Sequence, residues 1–357
     1  MRTLILPCAG KSTRYPNMRP KWMLTHPTGE LMLKKAIEAI DLNLFDNVYI
    51  VIVKHHDSEY DASLILRQVF ASSKIHIHVL DDFTSCVGET VYRTIKDNNI
   101  EGEIVIKDAD NYVKADYSRH GNFVVGLNIE NKDISRLSAK SFIKINESNI
   151  ITDVIEKQVK SNIISLGVYG FESTALFNEA YIKLKDSDFA GTVSKEIYIS
   201  HVIAYCIGME KACFSYYEAE EFEDWGTMDD WLKVQRYHAA YFIDIDGVLI
   251  KNSGRYGKIN WDNNEEMLLD NIKTVKSLAT QGLQVFLITS RPEEYRPKLE
   301  ALMKKHQVPY HNMIMGCHHA PRVIINDFAP TNPYPSCEAV NIQRDGKLED
   351  YMLKFKK

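Results

Sequence analysis

Two stretches of the chain place aspartates directly after apolar, β-rich runs. IVIKDADNYV continues such a run into Asp108 and Asp110, and YFIDIDGVL continues another into Asp244 and Asp246. Carboxylates at the carboxyl ends of strands in an open α/β sheet point into the ligand crevice. Their hard oxygen atoms suit Mg²⁺. A solvated turn is the alternative in each case, because aspartate is favoured in turns.

A third stretch, LPCAGKSTRYPNMRPKWML, carries groups that could hold phosphates. A β-rich run ends in a turn at Gly10, and the backbone N–H groups of such a turn can bind phosphate. Arg14 offers a planar fork of donors to a triphosphate, and Lys21 could reach phosphates that lie between two substrates. The loop is neither a Walker loop nor a GxGxxG loop, and taken alone a structural turn explains it equally well.

The surrounding pattern predicts an α/β chain of two Rossmann-like domains, 1–237 and 238–357. The first half alternates β-rich runs with helical segments, which predicts a largely parallel sheet. Short β-rich segments from about 120 to 175 add antiparallel strands, so the sheet is expected to be mixed. The predicted strands of the first half are LILPC, VYIVIV, IHIHVL and EIVIK, and its helices lie near 31–41, 60–71, 88–98, 194–207 and 227–238. In the second half we expect strands at 241–246, 284–289 and 322–326 and helices at 264–281 and 293–306.

The amino-acid composition and net charge argue against some functional classes. Hydrophobic residues make up 45% of the chain and charged residues 25%, which is ordinary for a globular protein. The net charge of −5 argues against nucleic-acid binding. No apolar run approaches the ~18 residues of a membrane span, and the six scattered cysteines are typical of reduced thiols. We therefore expect a cytoplasmic protein without membrane insertion, and these properties are compatible with a homo-oligomer.

The N-terminal motifs together resemble the sugar-phosphate nucleotidyltransferases of the glucose-1-phosphate thymidylyltransferase kind over about residues 1–231. The first loop of that family reads roughly AGxGTR and is followed by PK. Here Ala9-Gly10-Lys11-Ser12-Thr13-Arg14 is followed by Pro20-Lys21. The family's later segments are matched by Asp110-Asn111, Glu156-Lys157, GVYGF at 167–171 and Asp224-Trp225-Gly226-Thr227. Ser12 stands where the family usually has glycine.

This resemblance implies transfer of a nucleotidyl group from a nucleoside triphosphate to a sugar or polyol phosphate, with release of pyrophosphate. The product would be an activated donor for surface polysaccharide. The resemblance implies Mg²⁺ at Asp110 and Asp224, catalytic roles for Arg14 and Lys21, and a phosphate contact from Lys157. It also implies nucleotide contacts from Ala9, Gly10, Lys11, Ser12, Thr13 and Gly88.

The sequence indicates the base of the nucleoside triphosphate less directly than it indicates the phosphate-binding residues. Members that use thymidine or uridine often present a glutamine upstream of the glycine at the base, and LDDFTSCVGE has none. Asp81 and Asp82 are acceptors, which suit the amino group of cytosine better than a carbonyl. We therefore expect CTP, with a polar turn as the alternative interpretation.

The stretch around Asp244 resembles the phosphatases of the haloacid dehalogenase superfamily over about residues 240–330. An aspartate there can attack phosphorus, and a second one can serve as acid and base. The resemblance makes Asp244 the nucleophile, Asp246 the acid/base and Thr289 the phosphate-binding hydroxyl. Thr289 could instead be a helix cap. Mg²⁺ would be held by Asp244, the backbone carbonyl of Asp246 and Asp327, and the basic residue would be Arg322 or Lys298.

The intervals between these motifs are too short for a large cap domain, so we expect a capless domain. Asn326-Asp327 stands where the superfamily often has two acids. The chain is therefore expected to be a bifunctional nucleotidyltransferase and phosphatase. Two alternatives remain: the second domain is a catalytically silent interaction module, or the first is a nucleotide sensor that regulates the phosphatase.

Overall fold

The computed structural model describes residues 1–130, 137–187, 196–252, 257–263, 265–327 and 336–352. The chain divides into two compact units, Met1–Trp231 and Leu232–Lys357. The sequence placed the boundary slightly later, between 237 and 238. Within the described ranges, no helix is long and apolar enough to cross a membrane.

The described part of the first unit contains eleven strands. They are β1 (Arg2–Pro7), β2 (Asn47–Val53), β3 (Ile75–Leu80), β4 (Glu103–Lys107), β5 (Asn111–Lys114), β6 (Phe123–Asn128), β7 (Ser141–Ile145), β8 (Ile151–Glu156), β9 (Ile163–Phe171), β10 (Ser215–Glu218) and β11 (Glu221–Asp224). Nine of them form one sheet of order β10-β6-β9-β4-β1-β2-β3, with β7 and β8 attached at β9. β5 and β11 form a separate antiparallel ribbon.

The large sheet is mixed, as the sequence predicts. Strands β4, β1, β2 and β3 pair in parallel, whereas β9 runs antiparallel to both β4 and β6. Successive side chains of a strand face opposite sides of the sheet. Leu4 and Leu6 therefore enter one apolar core and Ile5 enters the other.

Among the residues of the first unit that the structure describes, six α-helices lie wholly within it, and α7 (Met228–Tyr237) contains the division between the units. The helix expected near 60–71 corresponds to α3 (Ala62–Val69). A separate helix, α2 (Lys54–Tyr60), precedes it, and the two are divided by Asp61, which adopts a left-handed φ of +50°. The first residues of the helix expected at 194–207 lie outside the described residues. The six helices are α1 (Met32–Ala36), α2 (Lys54–Tyr60), α3 (Ala62–Val69), α4 (Val87–Asp97), α5 (Thr174–Asp186) and α6 (Ile199–Gly208).

The second unit has a parallel three-stranded sheet of order β12-β13-β14. Its strands are β12 (Ala240–Asp244), β13 (Gln284–Ile288) and β14 (Asn312–Ile314). Its helices are α8 (Gly257–Asn263), α9 (Leu269–Thr280), α10 (Arg296–Lys305) and α11 (Glu349–Met352). A single apolar core forms where Val285 and Leu287 of the middle strand pack against helix residues such as Val275 and Leu299.

The strand predicted at 322–326 is wrong. Residues 321–327 have no regular secondary structure, and Val323 and Ile325 are 78% and 92% exposed. The third strand is instead β14, in which only Met313 is buried. A run of β-branched residues forms a strand only where it pairs with another strand and buries one face. The NMI segment of β14 is too short to show a strand pattern in the sequence.

A buried histidine in α2 predicts acid sensitivity of the fold. His56 is 3% exposed and lies 5.4 Å from the ring of Phe83 and 6.0 Å from that of Trp22. Burial, with a smaller contribution from His55, lowers its pKa to about 4. Between that value and its ordinary value of 6.5, the unfolded chain binds more protons than the folded one. The free energy of unfolding should therefore fall as the pH falls through this window.

His56→Phe keeps an aromatic ring but removes the titrating group. We expect the urea midpoint of this variant to fall less steeply with pH over that window than the midpoint of the wild type. Equal slopes for the two proteins would show that His56 does not contribute to the acid response.

Candidate functional site

Asp110 and Asp224 meet at the β5–β11 ribbon. Asp224 pairs with Asn111 across the ribbon, and the N–H of Trp225 donates to the carbonyl of Asp110 at 3.0 Å. A Cβ atom on Gly226 would lie 3.1 Å from Asp224 Oδ1, 3.5 Å from Asp110 Oδ2 and 3.6 Å from Arg14 Nη1. Glycine thus leaves open the space around which two carboxylates and one guanidinium converge. The structure brings together three of the residues that the sequence singled out.

Each of these carboxylates is paired with a lysine. Lys21 Nζ bonds to Asp110 Oδ2, and Lys140 Nζ bonds to Asp224 Oδ2. The four side chains are between 13% and 23% exposed, so both pairs are largely shielded from water. Sequence reasoning missed Lys140, because it matches no motif and precedes an ordinary-looking strand. Its one signal was a position at the start of the β-rich run SFIKI.

A buried lysine holds the backbone beneath the carboxylates. Lys107 is fully buried, and its Nζ donates to the carbonyls of Asp108 at 2.6 Å and Asn111 at 3.0 Å and also to the side-chain oxygen of Asn111. Burial lowers the pKa of Lys107 to about 8, although Asp108 and Asp110 oppose this shift. This lysine fixes the segment from Asp108 to Asn111 that carries Asp110.

The electrostatics separate the two aspartates of this segment. Burial, reinforced by the charge of Asp110, raises the pKa of Asp108 to about 6. Burial also opposes ionisation of Asp110, but the positive charges of Lys21, Arg14 and Lys107 outweigh it and hold its pKa well below the usual range. Asp110 therefore stays ionised at lower pH than Asp108 does.

The first loop is tied to the same place by Tyr15. This tyrosine is 2% exposed, and its hydroxyl donates to the carbonyl of Trp225 and lies 3.0 Å from that of Thr227. Ser12 adopts a left-handed φ of +49°, a backbone conformation that favours glycine. Its Oγ accepts the N–H of Lys21 at 3.1 Å.

The remaining loop residues differ in accessibility. Ala9 is buried in the core, so only its backbone could face a ligand. Gly10 and Thr13 are exposed, and a Cβ atom on Gly10 would meet no atom within 4 Å. Lys11 is also exposed, with its Nζ 5.9 Å from the ring centre of Phe83.

Lys157 lies near Lys140. Its N–H donates to the carbonyl of Lys140 at 3.0 Å, and its Nζ bonds to the hydroxyl of Tyr198 at 2.5 Å. Gly88 lies in the first turn of α4, where a Cβ atom would come within 3.0 Å of both the Ile197 carbonyl oxygen and the Tyr181 ring. Close packing thus requires glycine at this position, and contact with a base stays a prediction.

A second group of charged residues lies at the carboxyl ends of β12 and β13. Thr289 donates its hydroxyl to Asp246 Oδ2 at 3.1 Å. Arg291, which is 1% exposed, binds both oxygens of Asp246 through contacts of 2.7 Å and 3.0 Å. Sequence reasoning missed Arg291, although its position two residues after Thr289 was visible. The buried guanidinium fixes the orientation of Asp246.

The sequence left Arg322 and Lys298 as alternatives for the basic residue, and Arg322 is the one that contacts Asp244. Arg322 Nη2 lies 3.2 Å from Asp244 Oδ1. Lys298 instead donates to the carbonyls of Trp261 and Asp262. Burial raises the pKa of Asp244; the positive charge of Arg322 opposes this shift, and the charge of Asp246 adds to it.

The strand end expected at Asp327 is wrong, since Asp327 lies on the exposed, irregular segment 321–327. Arg291 engages the side-chain oxygens of Asp246, whereas the predicted Mg²⁺ ligand is the backbone carbonyl of that residue. The Mg²⁺ site of the second unit therefore stays a prediction.

The first unit contains two carboxylates placed where they could hold a divalent cation. The described ranges contain no cluster of three or more histidine, cysteine, aspartate or glutamate side chains suited to a metal ion. Mg²⁺ nevertheless needs only one or two carboxylates when substrate phosphates complete its shell. Asp110 and Asp224 offer two such oxygens around the open space at Gly226.

No protein-family model and no curated protein sequence matches the chain, but solved structures resemble its N-terminal region. The nucleoside-diphosphate-sugar pyrophosphorylase from Vibrio cholerae RC9 has a TM-score of 0.57 and 18% identity, over 65% of this chain and 99% of that one. A putative glucose-1-phosphate thymidylyltransferase from Bacillus anthracis has a TM-score of 0.51 and 18% identity, over 66% and 93%. A UDP-glucose pyrophosphorylase complexed with UDP-glucose has a TM-score of 0.51 and 15% identity, over 66% and 97%. The N-terminal region therefore has the fold of these three proteins, which confirms the mixed-sheet prediction for that region.

The role of Lys107 can be tested through stability. Lys107→Met removes the donors of three buried bonds and leaves their acceptors unpaired, so we expect a loss of about 2–4 kcal/mol in the free energy of unfolding. Lys144→Met, at an exposed position on β7, is the control and should change it by less than about 0.5 kcal/mol. Equal urea midpoints for the two variants would contradict the anchoring role.

Proposed function

We propose that the first unit transfers a nucleotidyl group from a nucleoside triphosphate to a sugar or polyol phosphate. The observation that supports this most is the convergence of Asp110, Asp224 and Arg14 around Gly226, in a region with the fold of sugar-nucleotide pyrophosphorylases. An open point with two carboxylates and nearby cations suits a cation–phosphate complex rather than a neutral ligand.

The proposed chemistry is a single displacement. An oxygen of the acceptor phosphate forms a bond to the α-phosphorus, the bond to the bridging oxygen breaks, and pyrophosphate leaves with that electron pair. This step needs no covalent nucleophile from the protein; the first unit orients two anions and offsets their repulsion with Arg14, Lys21 and Lys157. Asp110 and Asp224 would hold Mg²⁺, which when bound supplies further positive charge to the phosphoryl oxygens.

We propose CTP as the nucleotide and an activated donor for surface polysaccharide as the product. Asp81 and Asp82 follow β3 directly and are exposed, so their carboxylates are free of the core and could accept from a cytosine amino group. The neighbouring structures whose names print a nucleotide or a substrate are a UDP-glucose pyrophosphorylase and a putative glucose-1-phosphate thymidylyltransferase. The choice of base therefore depends on this chain's own residues.

The experiment that tests this proposal is a matrix of nucleoside triphosphates against sugar and polyol phosphates. Pyrophosphate release is measured for each pair, and the product is identified by its mass. We expect release only when both substrates are present, with CTP preferred, because carboxylates that accept from the amino group of cytosine would face the carbonyl oxygen of uracil instead of a donor. Faster turnover with UTP or dTTP would overturn the choice of base, and no release from any pair would overturn the transfer.

Removing one carboxylate should abolish most of the transfer. For Asp110→Ala we expect a decrease in kcat on the order of 10³-fold, since charge stabilisation at this point is worth several kcal/mol. Any phosphatase activity of the second unit should persist in this variant, and its persistence would show that the second unit is still folded. Transfer within about tenfold of wild type would remove Asp110 from the site.

For the second unit we propose phosphate-monoester hydrolysis through Asp244. A carboxylate oxygen of Asp244 would bond to phosphorus while the ester oxygen leaves and takes a proton; water would then release phosphate and regenerate the carboxylate. The proximity of Arg322 and the position of Asp244 at the end of β12 support this proposal. The alternative is a silent interaction module, favoured by the engagement of Asp246 with Arg291.

The Asp244→Asn variant distinguishes phosphate-monoester hydrolysis from the silent-module alternative. The substitution keeps the shape of the side chain and removes the nucleophile, so we expect phosphate release from phosphorylated sugars and polyols to vanish while nucleotidyl transfer persists. Release is measured with free Mg²⁺ present for both proteins. Equal release from the variant and the wild type, or none from either, would favour the silent module.

A further inference from the structure

Lys140 has no role in the function proposed so far, yet it lies in the centre of the site. Its Nζ is bonded to Asp224 Oδ2 and is 5.8 Å from the ring centre of Phe222. Its side chain and that of Asp224 are only 19% and 18% exposed. Its carbonyl accepts the N–H of Lys157, so the two lysines lie side by side where β7 and β8 meet.

The bond from Lys140 competes with a metal ion for the negative charge of Asp224. Asp224 Oδ1, the oxygen that faces the open space at Gly226, accepts the N–H of Gly226 at 3.1 Å, and Lys140 binds the other oxygen. An ammonium and a divalent cation on the two oxygens of one carboxylate repel each other strongly in a partly shielded site. The two cations therefore exclude each other at Asp224.

We propose that Lys140 is the exchangeable counter-cation of Asp224 and a phosphate-contacting residue of the loaded site. Before substrates arrive, its ammonium neutralises Asp224 and keeps the two carboxylates compatible at short range. When a divalent cation binds Asp224, the ammonium is released and needs another anion, because a shielded, unpaired charge is costly. The phosphates held near Lys157 are the incoming anions. This inference rests on the proposed nucleotidyl transfer.

Binding of Mn²⁺ without nucleotide tests the exchange directly. Free Mn²⁺ is measured by electron paramagnetic resonance with the full-length protein. For Lys140→Met, which keeps the apolar stem but loses the charge, we expect about tenfold tighter Mn²⁺ binding, since a competing unit charge has been removed. Lys144→Met is the matched control, because Lys144 is exposed on β7 and lies 4.0 Å from Asp153; its Mn²⁺ affinity should equal that of wild type. Asp224→Asn should lose the binding.

Kinetics test the second half of the inference. With saturating nucleotide and Mg²⁺, Lys140→Met should lower kcat about 10²-fold, although it binds metal more tightly. Lys140→Gln provides a second variant if the methionine variant does not fold. Unchanged Mn²⁺ affinity would overturn the exchange, and tighter binding with unchanged transfer would overturn the phosphate contact. If wild type transfers no nucleotide at all, the proposed function fails, whereas the Mn²⁺ comparison still decides the exchange.

Discussion

The structure of the first unit depends on keeping two carboxylates close together without mutual repulsion driving them apart. Asp110 directly precedes one strand of a short ribbon and Asp224 ends the other, and their oxygens face one open point at Gly226. Lys21, Lys140 and Arg14 surround them with positive charge. Removing water from like charges makes their repulsion stronger, so the cations are a condition of the geometry rather than an addition to it.

The surrounding elements follow from the same constraint. Lys107 fixes the backbone that carries Asp110, and Tyr15 ties the first loop to the backbone after Asp224. Both act from buried positions, where hydrogen bonds are strongest and orientation is best defined. The site is therefore assembled by side chains that themselves never need to touch a substrate. The second unit repeats this arrangement on a smaller scale, with buried Arg291 orienting Asp246.

The sequence predicted those parts of the fold and site that have a local signature. The parallel strands β1 to β4 and the ends that carry Asp110 and Asp244 follow from apolar runs that stop at polar residues. Lys140 and Arg291 could not be predicted in this way, because their roles arise from partners 84 and 45 residues away. The strand prediction at 322–326 is wrong for the opposite reason: the segment has a strong local strand pattern, but no described strand pairs with it. Pairing and burial are decided by the whole chain and not by the segment.

The central claim is that Asp110 and Asp224 jointly hold the cation that receives the nucleotide phosphates. The most direct measurement is a crystal structure with Mn²⁺ and a non-hydrolysable nucleoside triphosphate, in which anomalous scattering locates the metal. The account predicts one anomalous peak coordinated by both carboxylates and by phosphate oxygens, with Lys21 and Lys140 moved from the aspartates to the phosphates. A nucleotide bound with its metal away from both aspartates, or with both lysine pairs intact, would contradict it.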